Sequence, residues 1–151
     1  MLTGALYLPL LLGQSSSVGY MTAGQPQKVA GKRDESLETR IPCSVQAGYH
    51  VNSNTPTDEY LIPLKLTWAS TGALRPVDVV YPKPTMEKYQ FALKPLSVLT
   101  GKFDLVARFK VAPNAVAGPG QALGKLRYQA CNDRACYPPR TIDIAVPYNI
   151  M

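Results

Sequence analysis

In the stretch KFDLVARFKV, residues 102–111, Phe103, Leu105, Ala107, Phe109 and Val111 point one way while Asp104, Arg108 and Lys110 point the other. Only an extended backbone, which turns successive side chains to opposite faces, sorts such a set into a dry side and a wet one. The same period recurs along the chain. Ile41, Cys43 and Val45 share a face; so do Leu64, Leu66 and Trp68, then Leu126, Tyr128 and Ala130, then Ile142, Ile144 and Val146. Strands buried on one side need a second apolar layer over them, and no segment has the 3.6-residue period of a helix that would supply it. Sheet must therefore pack on sheet.

Fourteen prolines and 11 glycines in 151 residues, against three phenylalanines and one tryptophan, describe short elements and frequent turns. Strands with turn signals roughly every ten residues predict an all-β, single-domain fold, an immunoglobulin-like antiparallel β-sandwich of about seven or more strands. Residues 37–151 are assigned to it. Residues 18–36 are polar and aperiodic and read as a flexible lead-in with one edge strand near Gln27 to Ala30. Residues 1–17 read as a signal-peptide remnant: Leu2 to Leu12 is an apolar run followed by small polar residues, though without a charged start. Such a run is too short to cross a bilayer, which takes about 20 residues, so no membrane span is expected in this chain. An exported, oxidising setting follows, and there a cysteine pair is first of all a disulfide.

The charge of +6 is spread out, with Lys32 and Arg33 adjacent and no basic run interleaved with aromatics, which argues against nucleic acid as a partner. Three cysteines and one histidine are too few for an ordinary four-ligand zinc site. A cysteine-protease arrangement would have to use His50 and Asn52, whose proximity in sequence says little. No metal and no organic cofactor is expected.

What remains is RYQACNDRACYPPRT, residues 127–141, which sets Cys131 and Cys136 at the tip of a hairpin. Joining them closes a loop for which chain entropy gives roughly 2 kcal/mol, whereas joining Cys43 to Cys131 would give roughly 4.6 kcal/mol. A pair serving stability alone does better elsewhere. Thiol exchange needs a reachable sulfur, nearby positive charge and a second thiol to resolve the mixed disulfide. Arg134 and Arg140 flank the site, and Tyr137, Pro138 and Pro139 stiffen its exit. The spacing itself leaves both readings open: an exchange-active disulfide, or a structural disulfide in a non-catalytic immunoglobulin-like binding or assembly module. Cys43, on the Ile41 and Val45 face, reads as a small buried hydrophobe.

The segment LRYQACNDRACYPP resembles the periplasmic N-terminal domain of the thiol:disulfide interchange protein DsbD, with looser likeness at GYHVNSN, DEYLIPLKLTW and YQFALKPLSV, over roughly residues 40–148. The resemblance implies a thiol-disulfide oxidoreductase of immunoglobulin-like fold. It would take two electrons from a thioredoxin-like donor and pass them to periplasmic oxidoreductases such as a disulfide isomerase. By the same resemblance Cys136 is the sulfur that attacks or is attacked, and Cys131 resolves the mixed disulfide. A cap loop would shield the pair with an aromatic ring, best matched by Phe91, with Tyr89 the second candidate; His50 and Asn52 fall where polar or aromatic side chains line the site. Two departures stand out: Tyr89 and Gln90 occupy places often acidic in the family, and the loop between the cysteines is one residue shorter. The membrane helices and thioredoxin-like domain that usually follow lie outside this sequence. Electrons are thus expected from a separate protein, or from a longer chain of which this is a piece.

Overall fold

The structure, a computed structural model, describes residues 19–151; the segment read as a signal-peptide remnant lies outside the described residues. Twelve strands follow one another: β1 (Met21–Ala23), β2 (Val29–Gly31), β3 (Ser36–Val45), β4 (His50–Asn52), β5 (Lys65–Ser70), β6 (Leu74–Val80), β7 (Thr85–Glu87), β8 (Leu96–Leu99), β9 (Lys102–Val111), β10 (Gly118–Tyr128), β11 (Ala130–Cys131) and β12 (Arg140–Ile150). They form three four-stranded sheets, in the orders β1-β3-β9-β6, β2-β12-β10-β5 and β11-β4-β8-β7. No helix occurs among the described residues, so none there is long and apolar enough to cross a membrane. The immunoglobulin-like, all-β class expected from the alternation is what the chain adopts.

The first two sheets supply the main core. Ile41, Leu105, Ala107, Phe109, Leu126 and Val146 are almost wholly withdrawn from water, and Trp68 tilts against Phe109 with ring centroids 4.9 Å apart. Each large side chain buried this way contributes about 1.5–3 kcal/mol. Residues 102–111 divide as their alternation requires, with Leu105, Ala107, Phe109 and Val111 inside and Asp104, Arg108 and Lys110 outside. The hairpin of β10 and β12 stays in register from Gly118↔Ile150 to Tyr128↔Arg140. That long, rigid ribbon carries the cysteines beyond its end.

Within the lead-in, the edge strand expected near Gln27 to Ala30 is present as β2, and β1 is added to it. From Met21 on its residues are woven into both main sheets: β1 pairs with β3 (Met21↔Val45, Ala23↔Cys43), and β2 runs parallel to β12 (Val29↔Tyr148). Met21 is buried. Strands of three residues are too short to display a period, so their existence is decided by the strand edges available to them.

The third sheet is small and sits where β10 runs on into β11. Its strands reach it through tight connections; between β3 and β4 the turn carries Gly48 at φ 85°, a conformation that costs a residue with a Cβ about 1–2 kcal/mol. That turn delivers Tyr49 and His50 to the end of the domain that holds the cysteines.

Candidate functional site

Cys131 and Cys136 face each other as an isolated antiparallel bridge and are joined by a disulfide, with S–S 2.06 Å and Cα–Cα 4.0 Å. Asn132 builds the turn between them. Its Oδ1 accepts hydrogen bonds from the backbone N–H groups of Arg134 and Ala135, both at 2.8 Å, and its own N–H donates to the Ala135 carbonyl at 2.9 Å. Its Nδ2 donates to the Tyr137 hydroxyl at 2.8 Å, so one side chain ties the turn to the residue after Cys136. Pro138 and Pro139 have no N–H to offer a ladder, and β12 resumes only at Arg140.

Gln129, between β10 and β11, braces the same loop from behind. Its Oε1 accepts from Asn52 Nδ2 and from the Ile62 N–H, each at 3.0 Å, while its Nε2 donates to the Tyr137 carbonyl at 3.2 Å. Asn52 also donates to the Ile62 carbonyl at 3.0 Å; it is fully buried, and its Oδ1 has no hydrogen-bond partner among the described residues. Asn52 thus acts as a strut beneath the cysteines.

The two sulfurs live in different surroundings. Cys131 is 0% exposed, whereas Cys136 is only partly covered and packs with Tyr89 against a second small core of Leu61, Ala92, Leu96 and Val98. Across the sheet Cys131 pairs directly with His50. His50 is 2% exposed, its Nε2 has no hydrogen-bond partner among the described residues, and burial pushes its pKa down to about 4, so the ring is neutral at ordinary pH.

Tyr89 lies on that imidazole, ring centroids 4.1 Å apart and planes within 18°. Phe91, the ring expected over the disulfide, stacks on Tyr89 at 5.7 Å and is 37% exposed. Tyr89, the second candidate, is thus the ring stacked on the cross-strand partner of Cys131, with Phe91 stacked on it in turn. Both belong to the loop at 88–95 between β7 and β8, which is held to its neighbours by a Lys94–Asp58 ion pair of 3.7 Å and by Thr57 Oγ1 donating to the Pro95 carbonyl at 3.4 Å. Beside the stack runs an open cleft of about 500 Å³ lined by Tyr49, His50, Tyr89, Lys102 and Asp133.

On the other flank three tyrosines meet. Tyr20 stacks on Tyr137 at 4.8 Å and packs on Tyr49 at 4.6 Å, with the Arg140 guanidinium 5.2 Å from the Tyr20 ring centre. Burial, with Tyr49 and Tyr20 beside it, pushes the Tyr137 phenol pKa up. Neither Tyr20, Tyr49 nor Gln129 stood out as a site residue in the sequence. An aromatic inside an otherwise polar lead-in, and a glutamine two residues before the first cysteine of the pair, were the signals available.

The third cysteine is set apart. Cys43 is buried on β3, its thiol pKa pushed up to about 12 by burial and then by Asp104.

The family model for the N-terminal domain of the thiol:disulfide interchange protein DsbD matches residues 21–147. Among solved structures the chain is similar to the N-terminal periplasmic domain of ScsB from Proteus mirabilis, with 11% identity and a TM-score of 0.55, over 83% of this chain and 44% of that one. It thus spans less than half the length of that protein's structure, and the likeness is one of fold. A weaker likeness, TM-score 0.39 at 10% identity over 100% and 96% of the two chains, is to PapD-like domain 7 of human CEP192. No curated protein matches in sequence.

Proposed function

This chain belongs to the family of DsbD N-terminal domains, a family of thiol:disulfide exchange, and from that premise we propose that Cys131 and Cys136 relay two electrons between proteins outside the cytoplasm. The donor is a thioredoxin-like protein or domain, and the acceptor a periplasmic disulfide isomerase or similar oxidoreductase. The likeness to a periplasmic domain and the disulfide itself support the exported setting.

The observation that carries the roles is the unequal cover of the two sulfurs, Cys136 partly open and Cys131 at 0% exposure. A donor thiolate attacks Cys136 Sγ, the Cys131–Cys136 bond breaks, and the electron pair stays on Cys131. The donor's second thiol then attacks its own sulfur in the mixed disulfide and leaves the domain with two thiols. In delivery, the Cys136 thiolate attacks the acceptor's disulfide, and Cys131 attacks Cys136 to release a reduced acceptor and restore the bond. Tyr89, with Phe91 behind it, covers the pair between encounters and swings aside when a partner docks.

Trapping tests this. Cys131→Ser should accumulate a mixed disulfide through Cys136 with a thioredoxin-like protein, and Cys136→Ser should form none. The opposite pattern would reverse the roles. A midpoint potential below about −300 mV, out of reach of the glutathione pool, would mark the bond as structural.

A further inference from the structure

The geometry points to His50 as the hydrogen-bond donor that receives the Cys131 sulfur when the disulfide opens. The inference rests on the exchange reading above and adds a group acting on a reacting atom.

Cys131 has Cys136 as its pairing partner on one side and His50 on the other. Residues paired directly across strands project to the same face of the sheet, so His50, Cys131 and Cys136 form a row, with Tyr89 stacked on its His50 end. When a donor thiolate attacks Cys136, the S–S electron pair departs on Cys131, the member of the row that water does not reach. A thiolate left dry and unpartnered is a poor leaving group, because thiols of high pKa leave slowly. Cys43 displays that penalty within the same molecule, buried and with its pKa at about 12.

His50 Nε2 is the buried polar atom next in the row, and among the described residues it has no partner in the oxidised protein. Buried polar groups in native proteins are nearly always hydrogen-bonded, and an exception calls for an explanation. The explanation here is a partner that exists in only one redox state. The imidazole is neutral and, with its proton on Nε2, donates to the new thiolate. No proton is transferred by His50: the donor's thiols release two protons and the reduced pair takes up two as the partner leaves, after which Nε2–H keeps the Cys131 sulfur as its acceptor. Tyr89 stacks on the face of the ring and covers it from that side.

His50 is the one histidine in the chain, so a histidine-¹⁵N-labelled sample gives a single imidazole to observe. On reduction with dithiothreitol its Nε2–H resonance should shift downfield and exchange more slowly with water. His50→Phe, which keeps a ring for Tyr89 to stack on, should slow opening by dithiothreitol about tenfold. It should also lower the midpoint potential by about 30 mV, the equivalent of a tenfold change in equilibrium constant. His50→Gln, which retains an N–H, should stay within about threefold of wild type.

An imidazole signal unmoved by reduction would overturn the inference. So would a His50→Phe variant with wild-type rate and potential, or equal slowing in the Phe and Gln variants, which would mean packing alone. If His50→Phe does not fold, the resonance of the wild-type protein decides. A wild-type disulfide that no dithiol protein opens would remove the exchange reading and this inference with it, whereas normal exchange in His50→Phe removes only the role of His50.

Discussion

The sandwich core and the small core beneath the 88–95 loop are built to different standards. In the first, Ile41, Leu105, Phe109, Leu126 and Val146 are covered on all sides, and long strands hold them in register. In the second, four apolar side chains share their space with a half-covered Cys136 and a stacked tyrosine, and the adjoining His50 and Asn52 each carry a buried polar atom without a partner among the described residues. A region with few apolar contacts and unsatisfied groups opens at lower free energy than the rest. A disulfide that must meet another protein belongs in such a place, provided its backbone is anchored in a part that does not open. Cys131 and Cys136 have both, through Gln129 and Asn132 on one side and the loop of Tyr89 on the other.

The contrast can be broken first at its strong end. Phe109→Ala removes a fully buried ring that touches Trp68 and should cost about 3–5 kcal/mol in urea unfolding. A loss near 1 kcal/mol would mean that the sandwich is no tighter than the small core.

Acid tests the other region. His50 titrates near 6.5 when unfolded and near 4 when folded, so the unfolded chain binds its proton first. Stability should therefore fall as pH drops from about 6.5 towards 4, by up to about 3 kcal/mol, and be regained as pH rises. Urea midpoints measured across that range in wild type and His50→Gln isolate the contribution; parallel curves would show that His50 is not kept neutral by burial.

Cys43→Ala leaves a small cavity in the tight region and should cost about 1 kcal/mol with exchange unchanged. In the native wild type the Cys43 thiol should resist an alkylating reagent until the protein is denatured. Rapid native labelling would place Cys43 among the accessible groups instead.

The smallest effects concern the cover. Tyr89→Ala should speed reduction by dithiothreitol severalfold, the equivalent of about 1 kcal/mol of packing, with less change towards a protein partner. Phe91→Ala should have a smaller effect, since its ring reaches the site through Tyr89. If Phe91→Ala proved the faster of the two, the ring against the disulfide would be the one first expected from the family resemblance.

Sequence alone determined the features that repeat or that carry their own chemistry. Alternation reveals a strand because burial of one face is a property of the strand itself, and so β9 was legible over its whole length and β3, β5, β10 and β12 over part of theirs. The Cys-x4-Cys-Tyr-Pro-Pro segment was legible as a redox candidate for a similar reason, its reactivity residing in its own atoms and backbone restraints. Tertiary structure decided what depends on distant neighbours. Three-residue strands at 21–31 exist because edges of β3 and β12 were free to receive them. Tyr89 meets His50, the cross-strand partner of Cys131 and a residue 39 positions away in the chain, because the fold brings the 88–95 loop across the end of the sheet. Tyr20 reaches Tyr137 for the same reason. Which sulfur is open and which is sealed likewise follows from what packs around each, and no local pattern in the chain encodes that.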